Sequence, residues 1–528
     1  MGGYCIKRER SWKGRCKMKG LASIKISLVL IVIIVMAVPT KSFGYTIYVD
    51  SRASGANIGT DWNNALRSLQ DAIFLAYTLP KPVEIRVARG VYRPDQGEGI
   101  ARGDREMPFF LLNGVAIKGG YAGRSYSNPD ARDVKRYETV LSGDLLGNDS
   151  EVDYAWNLVG DPNRFDNSMN IVVAYEVGET AVLDGFIISG GYANDSIYCY
   201  GAGMFSGYAS PTIIDCIFED NFAGQDEESM GDGAGMSNYY SNPTLMNCTF
   251  RGNCVGYNGF PNIFFAGVTG GGFSSYNGNP VLTDCVFDRN VSFDAGGAIA
   301  DVNSSVELAN CTFNANTVFF GWGGAMLNYD SNVVMNNCLF TLNYAPSGGA
   351  VNSDSSIMIM TNCTFAGNFG LYDSSGFWCD SFFLDPPSSL DFTNCILWDG
   401  EEQILNDDDS EITIRYSDVQ GGWSGIGENN MDTDPLFAEL AYWVHIDDPD
   451  IILEPDDPNA VQIDGDYHLK SQEGRWDPIS RTWVQDDITS PCIDAGDPDS
   501  LVGDESEPNG DRINLGAFGG TSEASRTP

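Results

Sequence analysis

Four tyrosines, Tyr208, Tyr240, Tyr276 and Tyr329, each stand eight or nine residues before a cysteine. Set near one turn of successive repeats, exposed rings at such a spacing can stack on sugar faces. The competing reading is an aromatic ladder that only stabilises the turn. A second feature is the acidic run Asp407, Asp408, Asp409. Carboxylates are hard oxygen ligands, so Ca²⁺ is the one cofactor for which the sequence leaves room; an exposed loop is the usual meaning of such a run. Seven of the thirteen cysteines recur regularly, but without a CxxC pair or a histidine partner they do not suggest a metal centre. The only histidines are His445 and His468. No P-loop, dinucleotide fingerprint, GxSxG or HExxH is present.

The elements that position these residues come from one repeated phrase. NCTFRGN at 247 returns as DCVFDRN at 284, NCTFNAN at 310, NCLFTLN at 337 and NCTFAGN at 362, with DCIFEDN at 215 and NCILWDG at 394 at the ends. Cys and Phe stand at i and i+2, so on a strand they share a face. The apolar residue three before the cysteine (Leu245, Leu282, Leu308, Met335) breaks that parity, which predicts a corner between them. Asn or Asp always precedes the cysteine, and these side chains tolerate the left-handed region. Glycine pairs upstream, such as GGAI at 296 and GGAM at 323, predict a second corner. Successive cysteines are 32, 37, 26, 27, 25 and 32 residues apart, the period of a solenoid. Stacked coils place equivalent residues about 4.8 Å apart. The cysteines then form an internal column of small hydrophobes, unpaired because parallel neighbours are poorly aimed for S–S bonds. Cys199, Cys254, Cys379 and Cys492 lie off that column. Insertions between repeats collect on one edge, where solenoids carry binding loops. They hold Tyr257, Phe260, Phe264 and Phe265; Phe319, Phe320 and Trp322; and Phe377, Trp378, Phe382 and Phe383.

The flanks complete the plan. Residues 1–44 read as a signal peptide: a basic stretch, the apolar run Ile26 to Val38, and Ser42-Phe43-Gly44 at a cleavage point near Gly44. Met18 is an alternative start. That run is too short for a comfortable span, so cleavage is expected to leave no stable membrane span. Residues 45–180 read as an N-terminal cap with irregular first coils, including an amphipathic helix over 61–77 opened by Asp61. Regular coils fill 181–400, and 401–528 read as last coils and a loop-rich C-terminal cap. The first 44 residues hold nine Lys/Arg and one acidic residue, so the remainder carries a net charge of about −49. Such a charge argues against nucleic acid or anionic lipid as partners and suits an extracellular or cell-surface protein.

The glycine pairs with the Phe-x-x-Asn endings (FRGN, FDRN, FNAN, FTLN, FAGN) resemble the repeats of polymorphic outer-membrane proteins. More broadly, the chain resembles the right-handed parallel β-helix, or pectate-lyase-like, superfamily. The resemblance implies an all-β solenoid with an N-terminal capping helix, and it implies little about activity, since this fold hosts many. In pectate-lyase-like enzymes the eliminating base is usually Lys or Arg beside a Ca²⁺-neutralised uronate. The regular coils contain no Lys, and Arg251 and Arg289 are the candidates, against the reading that they are solvated surface charges. The expectation is therefore a secreted or cell-surface β-helix that binds polysaccharide or a surface glycan without catalysis. The alternative is a Ca²⁺-dependent polysaccharide lyase or related glycan-degrading enzyme.

Overall fold

The computed structural model describes residues 44–194, 199–224, 231–256, 269–372, 374–381, 386–400, 402–445, 448–453 and 460–528. The expected leader lies outside them. Among the described residues no helix is long and apolar enough to cross a membrane.

Four parallel sheets wrap one interior. Sheet I runs from Tyr45–Val49 to Ile426–Glu428, sheet II from Gly90–Tyr92 to Asp418–Val419, sheet III from Phe109–Phe110 to Ile404–Asn406, and sheet IV from Tyr192–Ala193 to Phe369–Gly370. Each regular coil visits III, I, II and IV in turn, as in Met326–Tyr329, Asn332–Asn336, Leu339–Thr341 and Tyr344–Ala345. The predicted corner lies between sheets I and II. There Asp215, Asn247, Asp284, Asn310, Asn337, Asn362 and Asn394 all have φ between 51° and 58°, and the short polar side chain makes that conformation tolerable. Gly296 and Gly323 open the corner before sheet III at φ 58° and 67°.

The parity argument holds in the core. Cys216, Cys248, Cys285, Cys311, Cys338, Cys363 and Cys395 are buried and free. Beside them Phe250, Phe287, Phe313 and Phe340 stack at 4.9, 5.0 and 4.4 Å between ring centroids. Burial pushes the Cys216 thiol up to about 12 and raises Cys248, Cys311 and Cys363, whereas hydrogen bonds with the neighbouring thiols lower Cys285 and, against burial, Cys338.

The Asn that ends each phrase turns inward and builds a continuous ladder. Asn253, Asn290, Asn316 and Asn343 each donate from Nδ2 to the Oδ1 of the next coil's residue at 2.8–3.0 Å. Asn368 donates to Asp399, which takes the ladder's last place.

One expectation changes. The helix is Leu69–Thr78, capped by Ser68; Asp61 instead closes a turn by accepting the N–H groups of Asn63 and Asn64. The helix still buries Leu69, Ala72, Ile73 and Ala76 at the first coils. Past the last coils the chain also packs along the side of the stack. Phe437, Tyr467, Leu469, Ile493 and Leu515 pack with Leu339, Ala366, Ile396 and Trp398 on the outer face of sheet II. Asn337 Nδ2 donates to the carbonyls of Ala517 and Gly519 across that contact.

Candidate functional site

Among the described residues the C-terminal region leaves the earlier coils of sheet II uncovered. Two columns face outward there. Ile187, Ile217, Thr249, Val286 and Thr312 form a partly buried, largely apolar column. Two residues on, Ser189, Glu219, Arg251, Asp288 and Asn314 form a polar one. Alternation along a strand makes both columns, because Ile188, Phe218, Phe250, Phe287 and Phe313 between them point inward.

The polar column is knit along the axis. Arg251 Nε donates to Glu219 Oε2 at 2.8 Å, and Arg289 Nε donates to Asp288 Oδ2 at 2.9 Å. Asn314 Nδ2 donates to Asp288 Oδ1 at 2.8 Å, while its Oδ1 accepts from Gln462 of the C-terminal hairpin at 2.9 Å. The other border is the segment 144–166. Its Arg164, 3% exposed, pairs with Asp149 at 3.3 Å and donates to the Asp220 carbonyl at 3.3 Å. Burial raises Asp149 to about 6, against the hydrogen bond from Asn167 and the charge of Arg164. Burial also raises Asp220 to about 6, with Glu219 adding to it and Arg164 and Arg251 opposing. The result is a shelf of paired donors and acceptors edged by two carboxyls that titrate near 6.

Both arginines proposed as bases thus direct N–H groups at carboxylates, and a base role would require that pairing to be displaced. Part of the acidic run is engaged locally, although Asp408 Oδ2 is buried without a hydrogen-bond partner. Asp407 Oδ2 accepts from Trp378 Nε1 at 2.9 Å, Asp408 Oδ1 accepts from Ser410 N at 3.0 Å, and Asp409 occupies the left-handed region at φ 60°. Among the described residues no group of three or more His, Cys, Asp or Glu is placed to hold a metal ion.

The four tyrosines do not form one row. Tyr208 and Tyr240 sit at a left-handed corner, φ 51° and 48°, whereas Tyr276 and Tyr329 end strands of sheet III in register with Tyr239 and Val302. The Tyr208 and Tyr240 rings stack at 5.4 Å, and Tyr239 and Tyr276 at 5.6 Å, tilted by only 10° and 6°. Stacking along the axis uses ring faces on each other and leaves edges outward, which weakens the case for a sugar platform. Tyr329 lies two coils beyond Tyr276. Of the loop aromatics, Tyr257, Phe260, Phe264, Phe265, Phe382 and Phe383 lie outside the described residues. Phe377 is a buried core residue rather than a loop ring, because it begins a sheet III strand. Phe319 and Phe320 are exposed and lie near Trp156 and Phe293.

A protein family described as "Right handed beta helix region" matches residues 294–434, and one described as "Disaggregatase related" matches residues 426–496. No curated protein matches. Among solved structures the chain is similar to pectate lyase Pel9A, at 12% identity, 90% coverage of this chain, 96% of that one and TM-score 0.42. It is also similar to a rhamnogalacturonan lyase, at 14% identity, 75% and 91% coverage and TM-score 0.33. The pectin methylesterase PemA of Erwinia chrysanthemi follows, at 9% identity, 74% and 94% coverage and TM-score 0.27. The family match and the four-sheet coil path agree on one statement: this chain is a right-handed parallel β-helix.

Proposed function

We propose that this is an exported, extracellular or cell-surface protein that binds a polysaccharide along the uncovered shelf of sheet II. The observation that carries the reading is the polar column Ser189, Glu219, Arg251, Asp288, Asn314, with one hydrogen-bonding group per coil. A surface whose donors and acceptors repeat every ~4.8 Å suits a ligand that repeats too, and a glycan chain is rich in hydroxyl partners. The neighbouring apolar column offers a surface for the sugar's C–H faces. A second reading, a glycan-degrading enzyme such as a Ca²⁺-dependent lyase, draws on Asp149 and Asp220. Carboxyls that titrate near 6 can exchange protons in mildly acidic surroundings.

The test is affinity electrophoresis of the purified protein against uronate and neutral polysaccharides, with Arg251→Ala alongside. The expected result is retardation by at least one glycan, weakened about tenfold in the variant, the scale of one hydrogen bond to a charged group. Its folding should be intact, since exposed ion pairs contribute little. Equal retardation of both proteins removes the shelf from binding. Absorbance rising at 235 nm in the same mixtures, with or without Ca²⁺, replaces the binding reading with elimination.

A further inference from the structure

The third position of six consecutive sheet III strands, from Met204–Gly207 to Val351–Asp354, points into the stack, yet it is polar. Ser206, Asn238, Ser275, Asp301, Asn328 and Ser353 follow one another there in register, all buried. Some of these groups are satisfied. Asn238 Nδ2 donates to the Ser241 carbonyl at 2.8 Å, and Ser304 Oγ donates to Ser275 Oγ at 3.1 Å. Others are not: Ser206 Oγ, Asn238 Oδ1, both carboxyl oxygens of Asp301 and Asn328 Oδ1 are buried without a hydrogen-bond partner. Apart from the Ser206 hydroxyl, every orphan is an acceptor only. What is missing along this column is positive charge or donors.

Asp301 and Asn328 concentrate the deficit. They are neighbours on consecutive coils, both 0% exposed, and three orphaned oxygens belong to them. The Asn328 amide nitrogen meets only the Met358 sulfur at 3.8 Å, a weak acceptor. An uncompensated carboxylate in such a place is prohibitively costly. Midway between coils about 4.8 Å apart, a bound ion would lie ~2.4 Å from an oxygen on each, which is the bond length of a hard cation such as Ca²⁺. Charge selects among hard cations. One carboxylate neutralises one positive charge, and a divalent ion would leave an excess charge in the core. The neighbours of this pair in the column are small, Ser275 before and Ser353 after.

We propose that Asp301 and Asn328 bind a desolvated monovalent cation of sodium's size inside the coil stack, as a structural site independent of the outer shelf. The test uses the purified protein dialysed into choline chloride, then titrated with NaCl or KCl at constant ionic strength and followed by its unfolding midpoint. The midpoint should rise with the logarithm of the sodium concentration, as for any ligand of the folded state alone, and respond less to potassium. Asp301→Asn should abolish the sodium response while leaving the coils folded by circular dichroism; if it does not fold, Asn328→Leu should abolish or sharply weaken the response. Identical midpoints of the unmutated protein in choline and sodium overturn the proposal without recourse to a variant. A sodium response undiminished in Asp301→Asn overturns it as well, and assigns the effect to surface carboxylates. An Asp301→Asn protein more stable than the parent in every salt shows instead that Asp301 is carried as a neutral acid.

Discussion

Replacing Asn316 by alanine should strike the ladder where its bonds can be counted. Asn316 Oδ1 accepts from the backbone N and from Nδ2 of Asn290, both at 3.0 Å. Its Nδ2 donates to the Phe287 carbonyl and to Asn343 Oδ1, both at 2.9 Å. Alanine removes all four bonds. Asn343 Oδ1 keeps the Asn316 backbone N–H at 3.0 Å, so that acceptor survives. Two buried donors of Asn290 do not, although its other amide hydrogen still reaches the Phe250 carbonyl at 2.8 Å. Each orphaned donor costs about 1–3 kcal/mol, so the loss should be about 4 kcal/mol. Equilibrium urea unfolding measures the total, and amide exchange at Asn290 locates it, since a solenoid couples mainly neighbouring coils. Asn314→Ala, two residues earlier on the outer face of sheet II, is the control and should cost less than about 1 kcal/mol. A loss at Asn316 no larger than at Asn314, with Asn290 still protected, would refute the ladder as a source of stability.

Three further outcomes are expected. Phe313→Ala breaks stacks of 5.0 and 4.4 Å and should cost about 3–5 kcal/mol; near-parental urea resistance would mean the ring is not inward. Cys248, Cys285, Cys311, Cys338 and Cys363 are buried and free, so native protein should resist alkylation until denatured, and mass-mapped bridges among them would contradict this. Burial raises Asp399 to about 7 from an unfolded value near 3.9. Its contribution is therefore complete below about pH 4 and is lost as pH climbs to about 7, a fall of up to ~4 kcal/mol. Asp399→Asn restores the residue used by the other coils and should flatten that part of the stability–pH profile; an unchanged profile would mean the carboxyl is solvated.

What could be read without coordinates follows from period and parity. Cys248, Phe250 and Leu245 betray their faces because residue spacing on a strand allows no other arrangement across a corner. The ladder escaped because asparagine near glycine reads as a turn residue, and Asn253 or Asn316 gives no local sign of facing inward. The same ambiguity moved the helix start, since Asp61 and Ser68 are equally good caps by type. The tyrosine register was legible in principle. Tyr208 and Tyr240 stand eight residues before a cysteine, Tyr276 and Tyr329 nine, and that single residue separates a corner from a strand end. Arg251 was visible as a charge at a fixed offset, and Glu219 holds the same offset one coil earlier, so their pairing follows from register. The docking of residues 431–528 on sheet II was not legible, because contacts such as Gln462 with Asn314 join segments with no shared periodicity.

Seven partly or fully buried carboxyls push the fold in one direction. Burial raises Asp149, Asp220, Asp294, Asp380 and Asp418 to about 6, and Asp399 and Glu505 to about 7. All seven bind protons more tightly folded than unfolded, so each favours the fold at lower pH. The formal charge of −41 acts in the same sense, because self-repulsion among carboxylates weakens as they are neutralised. At neutral pH the stack must carry this burden through its columns of Phe, Cys and Asn. Cations can relieve it in two separable ways: screening along the outer carboxylates, which any salt supplies, and direct ligation at Asp301, which only an ion of the right size and charge supplies. The contrast between choline and sodium at equal ionic strength divides the two.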